Sequence, residues 1–146
     1  MGNYNFKQDL KASEISENKV CDYLRSRGCE NIHTNNNYKY DISFEKDGKT
    51  YLLEVKEDMQ FQKTGNVAIE LQSRGKASGI CTSESHIWCY LLGEEMWFAK
   101  TPDIRLFLIQ HWDRFRRVNG GDEGTSLVAL VKLSDFKDIF KLGLKF

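Results

Sequence analysis

Four residues in the first third of the chain, Glu17, Asp41, Glu54 and Lys56, have the types and spacing to build a cation site beside an ammonium group. Asp47-Gly48 separates two alternating runs, 38–46 and 49–56, and Asp-Gly in that setting is a strong hairpin signal. A two-residue loop fixes the register, so Lys46 faces Lys49 and opposed positions add to 95. Asp41 is thereby expected opposite Glu54. Tyr40, Ile42 and Phe44 share one face with Tyr51, Leu53 and Val55, while Lys39, Asp41 and Ser43 share the other with Leu52, Glu54 and Lys56. Opposed Cβ atoms stand about 4.5–5.5 Å apart, where like charges destabilise a sheet. A hard divalent cation held by both carboxylates would remove the repulsion. The competing reading is an exposed sheet face on which Glu54 pairs with Lys39.

Glu17 belongs to a predicted helix over 11–27, with Ser13 or Ser16 as cap and Gly28 as stop. Val20, Cys21 and Leu24 form an apolar stripe, and Glu17 falls on it at spacings of three, four and seven. One reading is a carboxylate near the helix start, favoured by the macrodipole and partly solvated. The other opens that end of the stripe onto the charged face of the hairpin, so that Glu17, Asp41, Glu54 and Lys56 share one pocket.

Asp41, then Glu54 thirteen residues on, then Lys56 within "EVK", after a helix that carries Glu17 and ends at Gly28, resembles the PD-(D/E)xK nuclease superfamily. Order and spacing over residues 14–56 are most similar to archaeal Holliday junction resolvases. Tyr40 stands where the family's name has proline. The segment after Lys56, "NVAIELQSRGKASGI", looks closer to phage or mobile-element nucleases of the same superfamily. The resemblance implies a restriction-endonuclease-like α/β core, a mixed central β-sheet flanked by helices. It also implies a Mg²⁺-dependent DNA endonuclease, with Mn²⁺ as a substitute and branched DNA as the leading substrate. The runner-up is a sequence-specific homing or restriction-type endonuclease. A binding module without catalysis and a ribonuclease are the further alternatives.

Phosphodiester hydrolysis needs an activated water, shielding of the phosphate and stabilisation of the departing alkoxide. Mg²⁺ is usually held by one or two carboxylates, with waters and substrate phosphate completing its shell, which suits Asp41, Glu54 and the Val55 carbonyl. Glu17 would orient a bound water or help hold a second ion. Lys56 would either position or deprotonate the attacking water, or stay charged and stabilise the transition state.

Other candidates lie further along. Glu70 and Gln72 share a strand face on "NVAIELQ" and would line the same pocket if that strand lay beside Lys56; otherwise they form a solvent-facing edge. Ser73, Arg74, Lys76 and Ser78 sit in a Gly-containing segment suited to phosphate contact. Arg114, Arg116 and Arg117 close a basic segment, read either as a second DNA contact or as a solvated helix face. Cutting both strands calls for two active sites, so a homodimer is expected.

The elements that must position these groups follow from patterning. Strands are expected over "NVAIELQ", "HIWCYLL", "EMWFAK" and "LVALVKL", with Gly93-Glu94 turning between the middle two. "EDMQFQKTG" and "RGKASGICTSES" read as loops. A helix capped by Thr101, with Pro102 in its first turn, is expected to run to about Arg117, and Ser134 to cap a short closing helix. No repeat or boundary divides the 146 residues, so 1–146 reads as one domain. With 21 basic and 21 acidic residues the formal net charge is +0, so nucleic-acid binding must rest on local patches. The four cysteines lack the short spacing of a zinc or redox motif, and the three histidines show no ligand spacing. Trp88, Trp97 and Trp112 read as core or interface. The N-terminus lacks signal-peptide character and no run spans a bilayer, so a cytoplasmic protein without membrane contact is expected.

Overall fold

The computed structural model describes residues 6–35, 39–120 and 124–145, and only the backbone of residues 6–11. Helix α1 (Phe6–Ser26) leads through β1 (Glu30–Thr34) into the hairpin β2 (Ile42–Lys46) and β3 (Lys49–Glu57). A single turn, α2 (Phe61–Thr64), precedes β4 (Asn66–Ser73) and β5 (Lys76–Ala77). There follow β6 (Ile87–Leu92), β7 (Glu95–Lys100), α3 (Thr101–Gln110), β8 (Arg116–Gly120), β9 (Ser126–Lys132), α4 (Leu133–Ile139) and β10 (Lys141–Leu142). The central sheet runs β1-β2-β3-β6-β7-β10, and a second sheet runs β5-β4-β9-β8. Among the described residues only β3 and β6 pair in parallel in the central sheet, which is therefore mixed. The expected α/β class with a mixed central sheet flanked by helices is the observed one.

Strand β6, "IWCYLL", is buried at all six positions because both faces of the sheet are covered there. Ile87, Cys89 and Leu91 join Ile42, Phe44, Leu53 and Phe98 under Val20, Cys21 and Leu24 of α1. Trp88, Tyr90 and Leu92 face the other way, into a core with Val67, Ile69, Ala129 and Val131 of the second sheet and with α3 and α4. Two contacts fix β4 against β6 and the residue after β3. The Tyr90 hydroxyl donates to the Ala68 carbonyl at 3.1 Å, and the Ala68 N–H donates to the Asp58 carboxylate at 3.0 Å.

Several expectations need correction. Helix α1 starts at Phe6, so Ser13 and Ser16 are interior, and Ser16 Oγ instead donates to Glu57 at 2.7 Å. Gly28 ends the helix as expected, at φ +78°, with its N–H on the Arg25 carbonyl. Strand β1 went unread, and the strand expected over 38–46 begins at Ile42, with Tyr38 outside the described residues. The "RGKASG" loop contains the tight turn Arg74-Gly75 and strand β5. Thr101 is the first residue of α3 and donates its hydroxyl to the Ser85 carbonyl at 2.6 Å, so it does not cap; Ser134 likewise lies inside α4. The structure departs furthest from the expected pattern over 100–117. Helix α3 stops at Gln110, and Arg116 and Arg117 belong to strand β8, because a ladder with β9 and burial of Phe115 in the core outweigh local helical pattern.

Candidate active site

The hairpin is built as its turn dictates. Asp47 and Gly48 adopt φ +52° and +79°, as a two-residue hairpin turn demands, and pairing runs from Lys46↔Lys49 to Ile42↔Leu53. There the ladder stops. The Asp41 N–H donates to the Leu53 carbonyl at 3.0 Å, so Asp41 does not pair with Glu54 as the register alone predicts. Its side chain takes over the role of the missing strand: the Val55 N–H donates to Asp41 Oδ2 at 2.8 Å. Within a strand a residue's carbonyl points to the same edge as its N–H, so the Val55 carbonyl also faces the edge where β2 has ended.

The Asp41 charge nevertheless acts on both Glu54 and Glu17. Glu54 is pushed up to about 7 by burial and then by the Asp41 charge, with Lys56 opposing both. Glu17 is likewise pushed up to about 7 by burial, then by Asp41 and Glu14. Burial raises Asp41 as well, against the Val55 N–H and Lys56. Lys56 Nζ lies 3.4 Å from Glu54 Oε1 and 5.7 Å from the centre of the Trp88 ring. Glu54 pairs across the sheet with Trp88, which places it and Lys56 on the face opposite α1. Asp41, at the strand end, acts on acids of both faces, and Glu17 is the outlying member on the α1 side. Glu17 nevertheless acts on Glu54 as well, so the acids remain electrostatically linked around the strand end.

A cavity of about 470 Å³ is lined by Lys39, Glu54, Lys56, Glu70, Ser78 and Trp88 among others. Glu70 therefore meets Lys56 in one cavity, although β3 has β6 and not β4 as its neighbour. Its two oxygens accept from Ser78 Oγ at 3.0 Å and Ser126 Oγ at 3.3 Å. Ser126 was not singled out from sequence, and only the β4–β9 ladder reveals it. Gln72 is exposed and does not line the cavity. Gly79 closes the wall: at φ +56° it lies so near β4 that a Cβ there would sit 2.3 Å from the Glu70 carbonyl oxygen.

The basic candidates separate too. Arg74 and Lys76 project at the exposed β4–β5 hairpin beside Ser73, whereas Ser78 turns inward to Glu70. Arg114 pairs with Asp135 at 3.5 Å. Arg117 stacks 4.3 Å above Trp112 and donates to the Trp112 and Phe115 carbonyls. Arg116 is exposed, and the pairings Arg116↔Leu130 and Leu130↔Ala68 put it on the same face of the second sheet as Glu70.

Among the described residues, no three His, Cys, Asp or Glu side chains converge to enclose an ion by themselves. The donors present, Asp41, Glu54 and the Val55 carbonyl, instead suit an oxygen-seeking cation that keeps several waters, and a positive charge there would relieve the repulsion between the two acids.

No protein-family model matches the chain, and no curated protein matches it. Among solved structures it is similar to a bacterial homing endonuclease, I-Ssp6803I, at 15% identity and a TM-score of 0.49 over 81% of this chain and 74% of that one. No helix among the described residues is long and apolar enough to cross a membrane.

Proposed function

We propose that the chain is a Mg²⁺-dependent endodeoxyribonuclease. The observation that carries this reading is the hydrogen bond of the Val55 N–H to Asp41, which holds a second acid close enough to Glu54 for its charge to raise Glu54. Asp41 and Glu54, with the Val55 carbonyl, would hold the ion. Mg²⁺, when bound, shields the scissile phosphate and lowers the pKa of a coordinated water. Lys56, close to Glu54 and partly exposed, directs its ammonium at the attacking water or the pentavalent phosphate. Glu70, fixed by Ser78 and Ser126, faces the same cavity and orients water there. Glu17 acts from the α1 side, through the electrostatics of Asp41. Branched DNA is the substrate class that the resemblance of residues 14–56 favours, and a homodimer would let both strands be cut.

The test is a substrate panel incubated with Mg²⁺ or with EDTA: a four-way DNA junction, a linear duplex of matching sequence, and RNA of matching sequence. Junction cutting that EDTA abolishes supports the full reading. Duplex fragments at discrete sites would replace branch selectivity with sequence selectivity, and RNA cutting alone would replace the substrate. Absence of cutting on every member with Mg²⁺ and Mn²⁺ overturns the enzyme.

A further inference from the structure

A larger cavity, about 780 Å³, lies where β3, β6 and β7 meet the start of α3 and the C-terminal segment. Tyr51, His86, Ile87 and Phe98 form its apolar and aromatic part. The Tyr51 and His86 rings stand edge-on at 6.4 Å, and His86 Nδ1 accepts the Leu52 N–H at 2.9 Å, which leaves Nε2 as the nitrogen carrying the proton. Such a floor suits a flat heterocycle. The volume is within the range of cavities that enclose small ligands.

The opposite wall suits an anion. Helix α3, ten residues long, points its N-terminus into the cavity, and Lys100 before it supplies no side-chain cap. The Thr101 N–H is taken by the His86 carbonyl and Pro102 has none, so within the first turn the Asp103 N–H is the one left without an intrahelical partner. Lys100, Lys141, Lys145 and Arg105 outnumber Glu84 and Asp103 along the rim, although Arg105 is engaged by the Ile80 and Ser83 carbonyls and Lys141 Nζ donates to the Asp138 carbonyl at 3.3 Å. Ser85 is 4% exposed and lies in this wall, and among the described residues its hydroxyl has no hydrogen-bond partner. Buried hydroxyls are rarely left so. The Thr101 hydroxyl grips the Ser85 carbonyl, which fixes Ser85 at the helix start.

We infer that this cavity binds one nucleotide, with its base against Tyr51 and His86 and its phosphate at the N-terminus of α3 between Lys100 and Lys141. Ser83 and Glu84 line both this cavity and the one holding Glu54 and Lys56, so the two meet at that loop. Resting on the nuclease reading, the inference makes this the subsite for a nucleotide flanking the scissile phosphate. A base seated there is out of the duplex stack, which favours substrates with unpaired or distorted positions.

The test is an NMR titration of the metal-free protein with dTMP, thymidine and inorganic phosphate. Expected are dTMP shifts at Tyr51, His86, Ile87 and Asp103 amides, with thymidine and phosphate each binding about tenfold more weakly or less. Lys141→Ala should weaken dTMP about tenfold. Ser85→Ala should weaken it too while leaving the thermal midpoint of the free protein unchanged or higher, since an unpaired buried hydroxyl is removed. Shifts given equally by phosphate alone would make this a simple anion site and overturn the inference, as would silence at these amides or unchanged binding by both variants. Neither metal nor cleavage enters the titration, so failure of the nuclease reading would leave its result standing. In cleavage, Lys141→Ala should raise KM with kcat retained.

Discussion

The Val55 N–H donates to Asp41 Oδ2 across 2.8 Å, at the point where β2 has ended and β3 runs on. This contact does two things. It continues the sheet with a side chain, and it locks a carboxylate beside the Glu-x-Lys run. The two functions can be separated by substitution. Asp41→Asn keeps an oxygen for the Val55 N–H, so the thermal midpoint should change little, whereas cleavage should fall at least about 100-fold as the anionic donor is lost. DNA binding in Ca²⁺ should be kept or tightened. Asp41→Ala should lose the same activity and in addition about 1–2 kcal/mol of stability, because the Val55 N–H loses its acceptor. Denaturation and single-turnover cleavage of both variants check this; an active Asp41→Asn would remove the carboxylate from the chemistry.

Proton linkage gives a second prediction. Glu17 and Glu54 are both pushed up to about 7 in the folded chain from ordinary values near 4.5. A raised acid binds its proton more tightly when folded, so the stability it contributes is present below its unfolded value and lost as pH rises through about 7. Metal-free protein should therefore lose on the order of 1–2 kcal/mol between pH 5 and 8, after allowance for the solvent around Glu17. Divalent cation affinity should rise over the same interval, since protons and metal compete for the same acids. Thermal midpoints against pH, with EDTA and with Mg²⁺, should diverge above pH 6. Parallel curves would count against the ion.

Gly79→Ala probes how the cavity wall is made. The new Cβ would meet the Glu70 carbonyl oxygen at 2.3 Å while φ stays at +56°, a conformation alanine adopts at a cost. A loss of about 2–4 kcal/mol is expected from overpacking and backbone strain together. The displaced partner is the residue that holds Ser78 and Ser126, so cleavage should fall even at temperatures where the variant is folded. Urea unfolding and cleavage at 15 °C would separate the two effects, and wild-type stability would mean that β4 yields easily.

What could be read before the fold was known divides along physical lines. Asp47-Gly48 specifies its turn and register locally, and Gly28 ends its helix locally, so both were legible. Strand β6 was legible from its unbroken apolar run. The pairing of Asp41 with Glu54 failed because the ladder ends one residue early, a choice made by the Asp41 side chain and not by the turn. Glu70 shares a cavity with Lys56 although β4 does not lie beside β3: it arrives from a second sheet, whose Ala68 is held by Asp58 and Tyr90, and no local pattern announces such a crossing. The helix expected through Arg117 failed in the same way, to partners in β9.

The fate of that segment separates two arginines that sequence treated alike. Arg117 is a structural group: its guanidinium covers Trp112 and binds two carbonyls, so Arg117→Ala should cost about 1–2 kcal/mol through lost packing and hydrogen bonds. Arg116 is exposed and aligned with Ala68 on the face that carries Glu70, two strand spacings away, or about 10 Å. A phosphate bound between β4 and β8 would meet Arg116 and not Arg117. Arg116→Ala should therefore leave the thermal midpoint in place, weaken binding of every DNA sequence alike, and reduce the slope of log affinity against log salt by about 1. Arg117→Ala should lower the midpoint and leave that slope intact. Fluorescence anisotropy over a salt series in Ca²⁺ distinguishes them. An unchanged slope for Arg116→Ala would mean that nucleic acid does not cross this face of the second sheet.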